Sequence, residues 1–339
     1  MIQTRYILLI CILSALASCN SESTGKIGFL LPNLTDGRYP KDKEFFVQKA
    51  RLLGFDVEVG DANNDFGIQE AQAIKMVDKG IKVIVLSAVN QNLAASIVRY
   101  AHDKGVTVIA YERLVQNCKL DYFVAFDHYL VGELQANYAI AHKPEGNYVL
   151  IGGDKSDKNA ELIRNGQMNV IHPLIKSSKI DIVYSCFVED WNATGAYNEM
   201  KRVINLSGKR IDVVLCSNDG MAQGIIKAIE ESQPDYPAIV TGLDADISSC
   251  KMIAEGKQSM TVYKPFKKEA ELTAELAVTI LKGKNVASAA NSTFNGEVNV
   301  PTIKLQPVSV DVNNLKQTVI KDGQYKETEI YKENGQKML

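Results

Sequence analysis

Histidine is scarce in this chain, four in 339 residues, and the six cysteines form no CxxC pair and no cluster with histidine. Such a composition excludes zinc and iron–sulfur centres of the usual ligand spacing, and neither a metal nor a cofactor is expected. No P-loop, dinucleotide-binding glycine motif or nucleophile–base pair appears, and the lone Gly152-Gly153 after a strand is too little to hold a phosphate. Charge of one sign is missing too: the formal net charge is -2, which argues against a nucleic-acid surface. The apolar run Tyr6 to Leu16 is too short to span a bilayer.

That run follows Arg5 and ends in Leu16-Ala-Ser-Cys19, the pattern of a bacterial lipoprotein signal. Residues 1–18 are read as the signal, Cys19 as the lipidated N-terminus, and residues 19–25 as a polar tether. The location implied is extracytoplasmic, with the chain held at the membrane by lipid on Cys19. Cys186 and Cys216 fall inside apolar strands and behave as small hydrophobes. Cys118 lies in a loop and Cys250 on a helix, so no disulfide framework is expected.

What is present is an alternation of strands and helices from Lys26 onward, restarting near Asp127. Runs such as Lys82-Val-Ile-Val-Leu-Ser87 and Val106-Thr-Val-Ile-Ala-Tyr111 are continuously apolar, as parallel strands covered on both faces must be. About ten such strands are too many for one sheet, so an α/β fold with two parallel sheets facing each other across a cleft is expected. Thr302-Ile-Lys-Leu-Gln306 and Val308-Ser-Val-Asp-Val312 alternate and read as edge strands.

Ligands of open α/β sheets bind beyond the carboxyl ends of the strands. There the sequence places Arg38 and Lys41, then Glu112 and Arg113, then Asn159, Trp191, Asn218, Asp219, Asp244 and Lys264. Carboxylates, amides and guanidinium groups supply the paired donors and acceptors that vicinal hydroxyls require. Trp191, the single tryptophan, follows a strand and suits the apolar C–H face of a sugar ring. Read alone, Asp219 and Asp246 are equally well explained as helix N-caps. The four histidines, His128 among them, read as surface or capping groups.

Seven segments in order, Arg38-Tyr-Pro-Lys-Asp42, Ala110-Tyr-Glu-Arg-Leu114, Phe126-Asp-His-Tyr-Leu-Val-Gly-Glu-Leu-Gln-Ala136, Asn159-Ala160 with Arg164-Asn-Gly-Gln-Met168, Cys216-Ser-Asn-Asp219, Gly242-Leu-Asp-Ala-Asp246 and Met260-Thr-Val-Tyr-Lys-Pro265, carry a resemblance. Across about residues 26–285 the chain resembles periplasmic sugar-binding proteins of the ribose-binding type, most closely the D-xylose-binding proteins of ABC importers. The resemblance implies two Rossmann-like lobes, each a parallel sheet flanked by helices, joined by a multi-strand hinge. Residues 26–127 with 265–284 would form the N-terminal lobe, 128–264 with 285–325 the C-terminal lobe, and 326–339 a tail. It further implies a monosaccharide held by Arg38, Lys41, Glu112 and Arg113 from the first lobe. Asn159, Trp191, Asn218, Asp219, Asp244 and Lys264 would close from the second lobe and hinge, with Tyr39 stacking opposite Trp191. Of the two candidate caps, Asp219 then becomes a site residue and Asp246 stays a cap. Two positions depart from the family pattern: Glu112 stands where Asp is usual, and Leu243 where Gln is usual.

The partners implied are a sugar and a membrane ABC permease, with a membrane histidine kinase as the alternative, and the chain is expected to be a monomer. Glycoside hydrolysis by a pair such as Glu112 and Asp244 is disfavoured, because the surrounding cations depress carboxyl pKa values. Sugar-responsive repressors of the same fold carry an N-terminal helix-turn-helix where this chain has a secretory signal.

Overall fold

The computed structural model describes residues 26–35, 38–232, 238–284, 286 and 291–331. The signal, the tether and Cys19 lie outside the described residues. β1 (Lys26–Leu31), β2 (Asp56–Asp61), β3 (Val83–Leu86), β4 (Thr107–Tyr111) and β5 (Tyr122–Phe126) are parallel neighbours in the order β5-β4-β3-β1-β2. Alternation along each strand divides its side chains between two cores. Ile27, Phe29, Val83, Val85, Ile109 and Tyr111 pack under helices Tyr39–Leu52 and Phe266–Leu281. Leu30, Ile84, Leu86, Val108 and Ala110 pack under helices Phe66–Asp78 and Ala95–Asp103. Both faces are covered, which is why these strands read as unbroken apolar runs.

The second sheet runs β7-β6-β8-β9, from β6 (Gly146–Gly152), β7 (Ile180–Phe187), β8 (Val213–Cys216) and β9 (Ile239–Val240), again all parallel. Helices His128–His142 and Lys158–Lys176 cover one face, and Ala193–Ser207 and Asp219–Ser232 the other. The first pair approaches so closely that a Cβ on Gly132 would fall 2.0 Å from the Ile163 carbonyl oxygen. β10 (Thr261–Tyr263) pairs antiparallel with β13 (Val308–Val310), and Val262 forms a parallel bridge with Leu243, just past β9.

The chain crosses between lobes after β5, after β10, and after β12 (Asn299–Leu305). Helix 266–281 returns to the first core. The last segment divides differently from the expectation that residues 285–325 belong to the C-terminal lobe. β11 (Asn291–Phe294) and β12 extend the first sheet, with β12 parallel to β5, and only the residues from Val308 onward pack on the second lobe. Nor is β12 an edge strand: it lies between β5 and β11. Among the described residues, no helix is long and apolar enough to cross a membrane.

Candidate ligand site between the lobes

Where β4 ends, the chain turns sharply. Glu112 adopts φ +62°, a left-handed conformation costly for a residue with a Cβ, and the Arg113 N–H donates to the Tyr111 carbonyl at 2.7 Å. The turn buries the Glu112 side chain at the mouth of the first sheet. Its Oε1 receives Lys264 Nζ at 2.7 Å, lies 3.1 Å from Arg38 Nη1 and 3.3 Å from His128 Nε2. Oε2 is buried and accepts no hydrogen bond from any described residue. Burial pushes the Glu112 pKa up, but the charges of Lys264 and Arg38 and the contact with His128 outweigh it and hold the carboxyl well below its ordinary value.

Arg38 precedes helix 39–52 and is itself locked. Its Nε donates to Asp42 at 2.7 Å, its Nη2 to the Tyr111 hydroxyl at 3.2 Å and to Glu269, and its Cζ lies 4.3 Å from the Phe266 ring centre. Burial raises the pKa values of Asp42 and Glu269, with Arg38 opposing. These two carboxyls orient the guanidinium so that Nη1 alone points to Glu112.

Lys264, just past β10, joins Glu112 to Asp244 Oδ1 at 2.9 Å. Asp244 has φ +98° and keeps about a quarter of its side chain exposed, at 27%. Asn159, in the first turn of helix 158–176, reaches the Glu112 carbonyl with Nδ2 at 3.4 Å. Arg113 donates to the Ala88 carbonyl at 3.2 Å and lies near Tyr39 and Asp157. Trp191 ends a turn in which Asp190 and Trp191 both have positive φ, and its half-buried indole stands directly over Gly153: a Cβ there would fall 2.1 Å from the ring. Gly153 follows β6 for that reason.

Arg38, Glu112, Asn159, Asp244 and Lys264 are therefore linked through contacts at Glu112 and Lys264, with Arg113 beside them. Three expected site residues are engaged elsewhere. Lys41 turns away, its Nζ donating to the Gln324 carbonyl at 2.6 Å and sitting 4.1 Å from the centre of the Tyr325 ring. Asp219 is fully buried, and its carboxylate accepts from Gln258 Nε2 at 2.8 Å, Thr261 Oγ1 at 3.0 Å and the Asp246 N–H at 2.9 Å. Asn218 caps helix 219–232 through Oδ1, which accepts from the Met221 N–H at 3.0 Å. Capping therefore falls to Asn218, whereas Asp246 holds the N-cap position of the next helix without a side-chain cap bond. Residues from the two lobes also meet in a contact missed in the sequence, Gln91 Nε2 to Asp157 Oδ1 at 3.0 Å. His128, read as a surface or capping group, is buried against Glu112. Its one available signal was its place at the start of the second lobe.

A two-lobed cleft lined in this way sits in the stretch matched, over residues 27–285, by the model of the periplasmic binding protein domain. The chain belongs to the periplasmic binding protein family. This is a family of solute-binding proteins, not of enzymes. The D-xylose-binding periplasmic protein of Haemophilus influenzae is 40% identical over 97% of this chain and 99% of its own length. Its counterpart in Escherichia coli is 38% identical over 90% and 92%. Among solved structures, an ABC transporter solute binding protein from Clostridium phytofermentans with bound β-D-glucose superposes with a TM-score of 0.83 at 28% identity, over 90% of this chain and all of that one. As a family member the chain is expected to alternate between open lobes and lobes closed on a solute.

Proposed function

We propose that this periplasmic binding protein is an extracytoplasmic receptor, anchored by lipid on Cys19, that binds an aldose between its lobes and delivers it to an ABC importer. D-xylose or a close relative is the preferred ligand. The observation that carries the reading is the buried, unpartnered Oε2 of Glu112, a fixed anionic acceptor with Asp244, Asn159 and Arg113 close by. A sugar hydroxyl donates to a carboxylate and accepts from an amide or guanidinium, so a set of both kinds suits adjacent hydroxyls. The indole of Trp191 offers a face for ring C–H groups. The D-xylose-binding relatives and the glucose-bound structure support an aldose over other solutes.

Calorimetric titration with D-xylose, D-ribose, L-arabinose, D-glucose and D-galactose tests the reading. One of them should bind with micromolar or tighter affinity, with D-xylose ahead of the hexoses; no heat from any would overturn it. Anchoring is tested separately: Cys19→Ser should move the protein from membranes to the soluble envelope fraction, and its retention on membranes would refute the lipid.

A further inference from the structure

His128 is the first residue of helix 128–142, directly after the first crossover between lobes, and is 4% exposed. Glu112 is ionised, and an ionised carboxylate only accepts, so the Nε2 facing it at 3.3 Å carries the hydrogen and donates. Three groups thus face Oε1 from three elements: Arg38 Nη1 before helix 39–52, His128 Nε2 at the first crossover, and Lys264 Nζ, which donates to it, at the second. All three choose the same oxygen, and Oε2 is left for something else. The terminal torsion of a glutamate is broad and two-fold, so one flexible lysine does not by itself decide which oxygen faces the cleft. Two rigid groups do: the locked Arg38 guanidinium on one side and, on the other, an imidazole fixed at a helix start.

We propose that His128 is a positioning residue for ligand recognition: by holding Oε1 it locks the Glu112 carboxylate so that Oε2 is presented to one hydroxyl of the bound sugar. Glutamate, one methylene longer than aspartate, is what brings the carboxylate to within 3.3 Å of the imidazole. This inference rests on the aldose reading above.

The test titrates D-xylose and D-glucose into wild type, His128→Leu and His128→Gln, and into Glu112→Asp alone and combined with His128→Leu. His128→Leu should weaken binding about tenfold, the loss of one hydrogen bond to a charged group. His128→Gln, whose amide extends to about where Nε2 sits, should restore affinity to within about threefold of wild type. In the Glu112→Asp background the shorter carboxylate is out of reach, and His128→Leu should add less than about twofold, the coupling a double-mutant cycle isolates. Should His128→Leu not fold, His128→Asn, too short to reach Oε1, reads the same loss. Wild-type affinity in His128→Leu, or an equal loss in both backgrounds, would overturn the proposal and assign His128 to helix packing. A wild type that binds neither sugar would overturn the aldose reading and this inference with it.

Discussion

At the scale of single residues, the site is a balance between burial and charge, and pH reads it directly. The Glu112 pKa is depressed, so its stabilising contribution is complete above the ordinary glutamate value of 4.5 and is lost as pH falls through the lower, folded value. Asp246 behaves oppositely. Burial first, then the charge of Asp244, push it up to about 6 against the pull of Lys264, so in the window between 3.8 and about 6 the folded state binds the extra proton and stability falls as pH rises. Asp42, Glu269 and Asp219, also raised, act in the same direction. The ligand-free melting temperature should therefore climb as pH is lowered from 7 towards 5, level between 4.5 and 3.8, where the two effects oppose each other, and drop below 3.8; Asp246→Asn should flatten the climb and leave the drop. Scanning calorimetry across that range decides it. Two substitutions then read the ligand contacts. Glu112→Gln should weaken sugar binding by about 1.5–3 kcal/mol, the usual worth of a hydrogen bond to a charged group. Trp191→Ala should cost ~1–3 kcal/mol, by analogy with bases stacked on aromatic rings. Because Trp191 is the only tryptophan, the emission of the intact protein should also change on adding sugar, and a silent titration with normal affinity would place the indole outside the site.

At the scale of elements, two glycines separate ligand geometry from packing. Gly153→Ala puts a Cβ within 2.1 Å of the Trp191 ring, which sits on a surface turn and can move. It should lower affinity by as much as Trp191→Ala does while leaving the melting temperature nearly unchanged. Gly132→Ala meets the Ile163 backbone at 2.0 Å, which cannot yield without parting two helices. That variant should lose about 1–3 kcal/mol of stability while its folded fraction binds sugar normally. Titration and thermal melts on both variants check the contrast. The same elements explain what the sequence disclosed. Strands such as Val83–Leu86 were legible because both faces are covered, and the turn after β4 because charge follows an apolar run. β12 misled because periodicity reports covered faces and not neighbours: Val300, Thr302 and Leu305 are buried while Asn299, Pro301 and Lys304 are exposed, yet the strand is hydrogen-bonded on both sides. Asp219 misled in a related way. Its position at a strand end was readable, but its partners Gln258 and Thr261 are distant in sequence and meet it only in the fold. The direction in which Lys41 points depends likewise on a segment almost 300 residues away.

At the scale of the whole molecule, Lys41 bears on closure. It rises from helix 39–52 on the first lobe, while Gln324 and Tyr325 belong to the segment after Val308, whose Leu315, Val319 and Ile330 pack with Cys250 and Ile253 of the second. Lobes that swing apart about the three crossovers must separate the ammonium from that carbonyl and ring. The contact therefore adds to the closed form, and apparent affinity scales with the population of that form. Lys41→Met keeps the apolar stem and removes the charge. It should weaken apparent sugar affinity by about 3- to 10-fold, as expected if the competent population drops in proportion, and raise the radius of gyration of the ligand-free protein in small-angle scattering. The decisive comparison is Tyr325→Ala. If Lys41 acted on the sugar itself, as the sequence suggested, removing a ring on the far lobe would leave binding intact. If it acts by bridging the lobes, Tyr325→Ala should reproduce a large part of the Lys41→Met loss, and the two losses should not add when the substitutions are combined.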